Sequence, residues 1–260
     1  MSQTSAESRP DGDWPSLATV VPVYNEESGI ERSSYAIVSV AEQYLGRSIV
    51  IVVDDGSSDA SATILSTLEQ ELELLLLCRR EHNGGYGAAL RTGAQRAADL
   101  GYEYVAFIDS DLTNPPDDLL KIGALASQGH TYIKGSRFIF GGGMVSVPFW
   151  RQAVSRAGNA VGRRLFRTRV RDITNGFRAV RTDVFLSWPL QERGFPIIVE
   201  ELDWALRSDV EPAEFPTVLM ARQADQRVST FTYDPKAIYS YLRYPMRAQV
   251  RRLRPMKKAK

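Results

Sequence analysis

Soft metal ligands are scarce in this chain: one cysteine, Cys78, and two histidines, His82 and His130, among 260 residues. A lone cysteine forms no intrachain disulfide, which favours a reducing compartment, and its place after an apolar LLLL run reads as a small buried hydrophobe. A zinc site has no ligand set to draw on. The histidines read as surface or loop residues. Also missing is any run near the roughly 18 apolar residues that a membrane span needs. The polar opening MSQTSAESRPDGDWPS lacks the apolar core of a signal peptide, so a disordered leader is expected over residues 1–16. Together these absences point to a cytoplasmic protein that could lie on a membrane face without crossing it. The net charge of +1 hides two basic stretches, 151–171 and 243–260, where an anionic partner would bind.

What is present is a regular alternation. Residues 17–23 (LATVVPV), 48–53 (SIVIVV), 72–78 and 104–108 are short runs rich in Val, Ile and Leu, as in strands buried on both faces. Helical patterns separate them at 26–45, 58–71 and 86–100. Such order predicts an α/β fold, a mostly parallel sheet flanked by helices. A chain 43% hydrophobic can bury one large core, so a single domain is expected over 17–234, followed by a basic tail at 235–260.

In sheets of this kind ligands bind beyond the carboxyl ends of the strands. Those positions hold Tyr24-Asn25-Glu26, Asp54-Asp55-Gly56-Ser57 and Asp109-Ser110-Asp111. One acidic cluster could be a helix cap; three on one edge imply a cationic partner. Paired carboxylates repel unless a cation or donors compensate. Mg2+ or Mn2+, held by one or two carboxylates and substrate phosphates, fits that donor set.

The motifs VVPVYNEE (20–27), VVDDGSSD (52–59), NGGYGAALRTG (83–93) and FIDSDLTNPPDDL (107–119) resemble the successive signatures of family 2 inverting glycosyltransferases, which have the GT-A fold. KGSRF (134–138), VPFWRQAVS (147–155), RDITNGFRAV (171–180) and GFPIIVEEL (194–202) are similar to the dolichol/polyprenyl-phosphate mannosyltransferase branch. The resemblance covers about residues 17–231. It implies a nucleotide-sugar half at about 17–135 and an acceptor half at about 136–234. Tyr24, Glu26, Asp54 and Asp55 would then meet the nucleotide, with Asp109 and Asp111 on metal and diphosphate. Arg137, Arg151 and Ser155 would handle the acceptor phosphate, and Arg222 the phosphates of the donor. Glu200 is matched near the acceptor end and Asp203 is a softer candidate. Asp111, Arg137, Arg151 and Glu200 are thus the residues implied at the transfer step.

The implied activity is hexosyl transfer, of EC 2.4.1 type, from GDP-mannose to a polyprenyl or dolichyl monophosphate. Two alternatives stay open: a UDP-sugar such as UDP-glucose with a lipid-phosphate or soluble acceptor, and a non-catalytic nucleotide-sugar-binding protein. Two departures stand out. Thr113 replaces the Gln common two residues after the second Asp, and residues 222–230 lack the short Gly-x-Ser-Lys. A dinucleotide-binding reading of Gly85-Tyr86-Gly87 fails because Leu90 stands where Gly or Ala is required.

In 149–171 an apolar stripe, Trp150, Val154, Ala157, Val161 and Leu165, is flanked by arginines. It fits a helix in a membrane interface or one packed on the core. FIFGGGM (138–144) reads as a flexible hinge. The basic tail carries no nucleic-acid motif, so an anionic membrane or a membrane-anchoring partner protein is its expected contact.

Overall fold

The computed structural model describes residues 14–221 and 235–253. Its elements follow the expected alternation: β1 (Leu17–Val23), α1 (Ile30–Ala41), β2 (Ser48–Asp54), α2 (Ser61–Glu71), β3 (Leu75–Arg79), α3 (Tyr86–Asp99) and β4 (Tyr104–Phe107). Then come α4 (Asp118–Ser127), β5 (Tyr132–Ser136), β6 (Gly143–Val145), α5 (Phe149–Phe166), β7 (Arg178–Arg181) and α6 (Thr182–Ser187). The chain continues with α7 (Ile197–Arg207), β8 (Ala213–Pro216), β9 (Val218–Met220) and α8 (Pro235–Leu253).

Seven strands form one sheet in the order β3-β2-β1-β4-β7-β5-β8, and β6 pairs with β9 in a separate ribbon. All seven run parallel except β7, which opposes both neighbours. Side chains alternate across the sheet. Leu17, Val21, Val50 and Val52 meet Ile37, Leu65 and Ile122 of α1, α2 and α4 on one face. Ala18, Val20, Ile51 and Val53 meet Leu90, Phe185 and Ile197 of α3, α6 and α7 on the other. Burial on both faces is why these strands lack a polar side in sequence. Helix α3 lies close on β1, for a Cβ at Gly93 would fall 2.4 Å from Val20 Cγ1.

Three local expectations are corrected. The expected leader 1–16 ends earlier: the Trp14 ring packs 5.0 Å from Tyr44, whose hydroxyl donates to the Pro15 carbonyl, while residues 1–13 lie outside the described region. The expected hinge, 138–144, is ordered at its end, where Gly143 and Met144 begin β6 and pair in register with β9. Of the expected basic tail, 235–253 form the helix α8, packed on α5 and α7 with Tyr244 and Ala248 buried against Phe166 and Leu202. Apolar contact with two helices outweighs what Pro245 and the charge density predict locally.

Candidate active site

The β1–α1 and β2–α2 turns interlock. Asn25, in the left-handed region at φ 54°, donates its N–H to Ser57 Oγ (2.9 Å) and accepts at Oδ1 from the Ser58 N–H (2.8 Å). The Glu26 N–H donates to Ser61 Oγ (2.9 Å). Asp54 is fully buried inside this joint, accepting from the Ser57 N–H with Arg79 Nε 3.4 Å away. It lines neither cavity of the site and acts as the turn's internal anchor.

Asp55 points the other way. Its oxygens accept from Arg80 Nη1 (2.7 Å) and from the N–H groups of Gly84 (3.1 Å) and Gly85 (2.7 Å). Gly85 must be glycine: φ is 89°, and a Cβ would sit 2.4 Å from the Arg193 carbonyl oxygen. Asp55 thereby fixes the loop entering α3 as one wall of a cavity of about 270 Å³, with Tyr24, Glu26, Asn83, Tyr86 and Asp109 around it.

Asp109 and Asp111 follow β4. Tyr86, at the start of α3, donates its hydroxyl to Asp109 Oδ1 (3.0 Å), and its ring lies 4.6 Å from Phe195. Burial, then the Asp109 charge, pushes the Tyr86 phenol well above its ordinary pKa. Leu112 takes a left-handed turn at φ 53°. That turn lets Thr113 close on Asp111, whose Oδ1 accepts from the Thr113 N–H (3.0 Å) and hydroxyl (2.8 Å). The departing Thr113 thus orients a carboxylate. Among the described residues no three His, Cys, Asp or Glu side chains gather as a metal cluster. Asp109 lines the cavity, whereas Asp111, buried two residues on, does not; two such hard oxygen donors suit Mg2+ or Mn2+ only if a substrate supplies further oxygens, which is how those ions bind phosphate esters.

A second cavity, about 500 Å³, opens on the far side of Asp109, which with Phe195 lines both. Val154, Val161, Ile173, Ile198 and Leu242 make its walls apolar, while Ser155, Arg137 and Thr174 add polar groups. Arg137 grips Asp172 with two bonds, Nε to Oδ2 (2.7 Å) and Nη2 to Oδ1 (2.8 Å), and also reaches Thr174 Oγ1 (2.9 Å). Burial alone would raise the Asp172 pKa; Arg137 overcomes it and holds the carboxyl below its ordinary value. Asn159 ties α5 to this loop, accepting from the Ile173 N–H (2.8 Å) and donating to Thr174 Oγ1 (3.0 Å).

Beneath the site lies a buried charge network. Arg178 pairs through both Nε and Nη2 with Glu201, each side chain fully buried, and donates Nη1 to the Gly176 carbonyl. Burial would lower the Arg178 pKa, yet the Glu201 carboxylate raises it. Gly176 abuts the site, since a Cβ there would fall 3.5 Å from Asp109 Oδ2. Lys134, also fully buried, donates to the Asn175 carbonyl (2.6 Å), and burial followed by the charge of Arg178 lowers its pKa to about 7.

The structure therefore gathers Tyr24, Glu26, Asp55 and Asp109 at the smaller cavity and Asp109, Arg137 and Ser155 at the larger one. Arg151 is exposed one turn before Ser155, its guanidinium 5.2 Å over the Trp150 ring, and lines neither. Glu200 does not line the larger cavity. It accepts from the Gln191 N–H (3.1 Å) and Glu192 N–H (2.9 Å), and burial raises its pKa. It borders a charged groove between α7 and α8, where Arg251 pairs with Asp203. Arg222 lies outside the described residues. Tyr86, Phe195, Thr174 and Asp172 were not singled out in sequence; a tyrosine opening a helix after Gly-Gly, and an Asp 35 residues from its arginine, carry no local signal.

On α5 the core takes Asn159, Gly162 and Phe166, leaving the apolar stripe outward: Trp150 is 53%, Val154 41% and Val161 50% exposed. No helix among the described residues is long and apolar enough to cross a membrane.

Comparison with known proteins matches residues 19–187 to the family model described as glycosyl transferase family 2. Among curated relatives, a dolichol-phosphate mannosyltransferase of Pyrococcus furiosus is 28% identical over 231 residues, 88% of this chain and 62% of that protein. A polyprenol monophosphomannose synthase of Mycolicibacterium smegmatis is 24% identical over 240 residues, 90% of this chain and 89% of that one. The chain thus spans less than two thirds of the first relative and most of the second. Among solved structures, glucosyl-3-phosphoglycerate synthase from Mycobacterium tuberculosis with Mn2+, UDP-glucose and phosphoglyceric acid superposes with a TM-score of 0.65 at 19% identity, covering 91% and 80% of the two chains. The same protein with Mg2+ and UDP gives 0.60 at 19% identity, covering 92% and 79%. At such identity the likeness speaks for the fold alone.

Proposed function

The chain belongs to glycosyltransferase family 2 and has the GT-A fold; from that premise we propose that it moves a hexose, with inversion, from a nucleotide diphosphate to a polyprenyl monophosphate. One observation carries this reading: a smaller cavity edged by the carboxyl side chains of Glu26, Asp55 and Asp109 and a larger, mostly apolar one meet at Asp109. A nucleotide-sugar fits the first chemistry, and an acceptor with a phosphate head and an apolar chain fits the second.

Tyr24, Glu26 and Asp55 bind the nucleotide end, Asp55 through the loop it holds. Asp109 and Asp111 would hold the metal. A bound Mg2+ or Mn2+ would supply positive charge to the diphosphate as the sugar–oxygen bond breaks. Tyr86 and Thr113 fix the orientation of the two carboxylates, so this charge is met without rearrangement. Arg137, held by Asp172, and Ser155 receive the acceptor phosphate, with Arg151 one turn away toward solvent. A phosphate monoester is largely ionised near neutral pH, its last pKa being roughly 6, so it attacks without a strong base. Attack opposite the leaving diphosphate inverts the anomeric centre.

GDP-mannose is the proposed donor, in keeping with the names of the curated relatives. UDP-glucose is the second reading, because the superposed synthase carries it. The outward apolar stripe and the arginines of α5 support attachment to the cytoplasmic face of an anionic membrane, directly or through an anchoring partner. Incubation of radiolabelled GDP-mannose and UDP-glucose with a polyprenyl phosphate and Mn2+ or Mg2+ tests the proposal. Label should enter the organic phase with one donor and only with metal. Label that stays aqueous with both donors, with no turnover, refutes it and favours a non-catalytic nucleotide-sugar binder.

A further inference from the structure

Behind Arg137, on the side of α5 away from the acceptor cavity, lies a pocket of about 390 Å³ lined by Arg137, Arg156, Arg163 and Arg171 and by no carboxylate. Its arginines come from three places: the end of β5, α5, and the loop before β7. Arg156 and Arg163 are seven residues apart, two turns along one helical face, so both guanidiniums project over the same concavity.

The charge balance is uneven. Arg137 is neutralised by Asp172. Arg156, Arg163 and Arg171 are exposed, and among the described residues none of them joins an ion pair. Glu214, the acid beside Arg171, directs its oxygens at the N–H groups of Arg171 and Asp172 and does not line the pocket. The pocket therefore holds three uncompensated positive charges. A solvated helix face would spread its arginines outward; here they surround a hollow floored by Asn159 and Gly142. Gly142 approaches so closely that a Cβ would lie 2.3 Å from the Ser136 carbonyl oxygen.

We propose that this pocket binds a phosphate group additional to those of donor and acceptor. Planar guanidinium forks match phosphate oxygens, and several converging on one hollow favour phosphate over a monovalent halide. Two sources share that chemistry, a free phosphate and the headgroup of an anionic lipid beside the acceptor. Because Arg137 and Asn159 line this pocket and the acceptor cavity alike, an occupant lies one side chain from the acceptor.

The test is binding without donor, metal or acceptor, so its result is independent of whether transfer occurs. Inorganic phosphate is titrated calorimetrically against chloride at equal ionic strength. In parallel, flotation is measured with phosphatidylcholine vesicles with and without phosphatidic acid. Arg156→Gln/Arg163→Gln is compared with Arg164→Gln/Arg169→Gln, which removes the same charge from exposed positions outside the pocket; a thermal melt confirms that both fold. The pocket pair should weaken binding at least about tenfold while the control pair does not. That pattern with inorganic phosphate identifies a free-phosphate site, and the same pattern only on phosphatidic acid vesicles identifies a lipid headgroup. Equal losses in both pairs, or no binding in either arm, overturns the proposal.

Discussion

Replacing Glu201 by Gln tests how the buried charge beneath the site is maintained. Glu201 and Arg178 are both fully buried, and their two-point contact is the main compensation for the guanidinium. Gln keeps the shape but removes the negative charge, leaving a buried cation facing a neutral amide. Breaking one side of such a pair costs about 3–5 kcal/mol. For a chain of this size that lowers Tm by roughly 6–20 °C. The double variant Arg178→Met/Glu201→Met removes both charges and should regain most of the loss, since apolar replacement of a whole buried pair is often close to neutral. Activity should not return with it, because Arg178 also donates to the Gly176 carbonyl, beside Asp109. Urea unfolding of both variants, with turnover measured at a temperature where each is folded, separates the two effects. A Glu201→Gln variant losing under about 1 kcal/mol, or a double variant no more stable than the single, would refute the reasoning.

Two other predictions concern the site and its support. Asp111→Asn should abolish turnover and metal-dependent nucleotide binding while shifting the melt little, because Thr113 can still donate to an amide oxygen; retained metal dependence counts against the carboxylate's role. Lys134, with its pKa lowered from 10.5 to about 7, binds fewer protons folded than unfolded between those values. Stability should therefore rise with pH across that window, by at most about 1.4 kcal/mol per unit, with the cost of burying the cation fully present below pH 7. Lys134→Met should flatten the rise in urea unfolding measured at pH 7, 8 and 9; an unchanged slope excludes the lysine as its source.

The sequence by itself determined the first four strands, the helices between them and the row of acids at the sheet's carboxyl edge. These features follow from periodicity within a few residues: strands buried on both faces carry unbroken apolar runs, and turn residues follow them directly. The Asp109–Asp111 motif was legible for the same reason. Only the tertiary structure decided which acids serve the cavities. Asp54 and Asp55 are adjacent, yet one is sealed in the turn with Ser57 and the other reaches Gly84 and Gly85 about thirty residues on. Glu200 and Glu201 are adjacent on α7, about 100° apart around the helix. Glu200 therefore holds the loop at Gln191, while Glu201 turns inward to Arg178. A carboxylate's role depends on the donor it meets, and these donors lie too far along the chain for any local pattern to register.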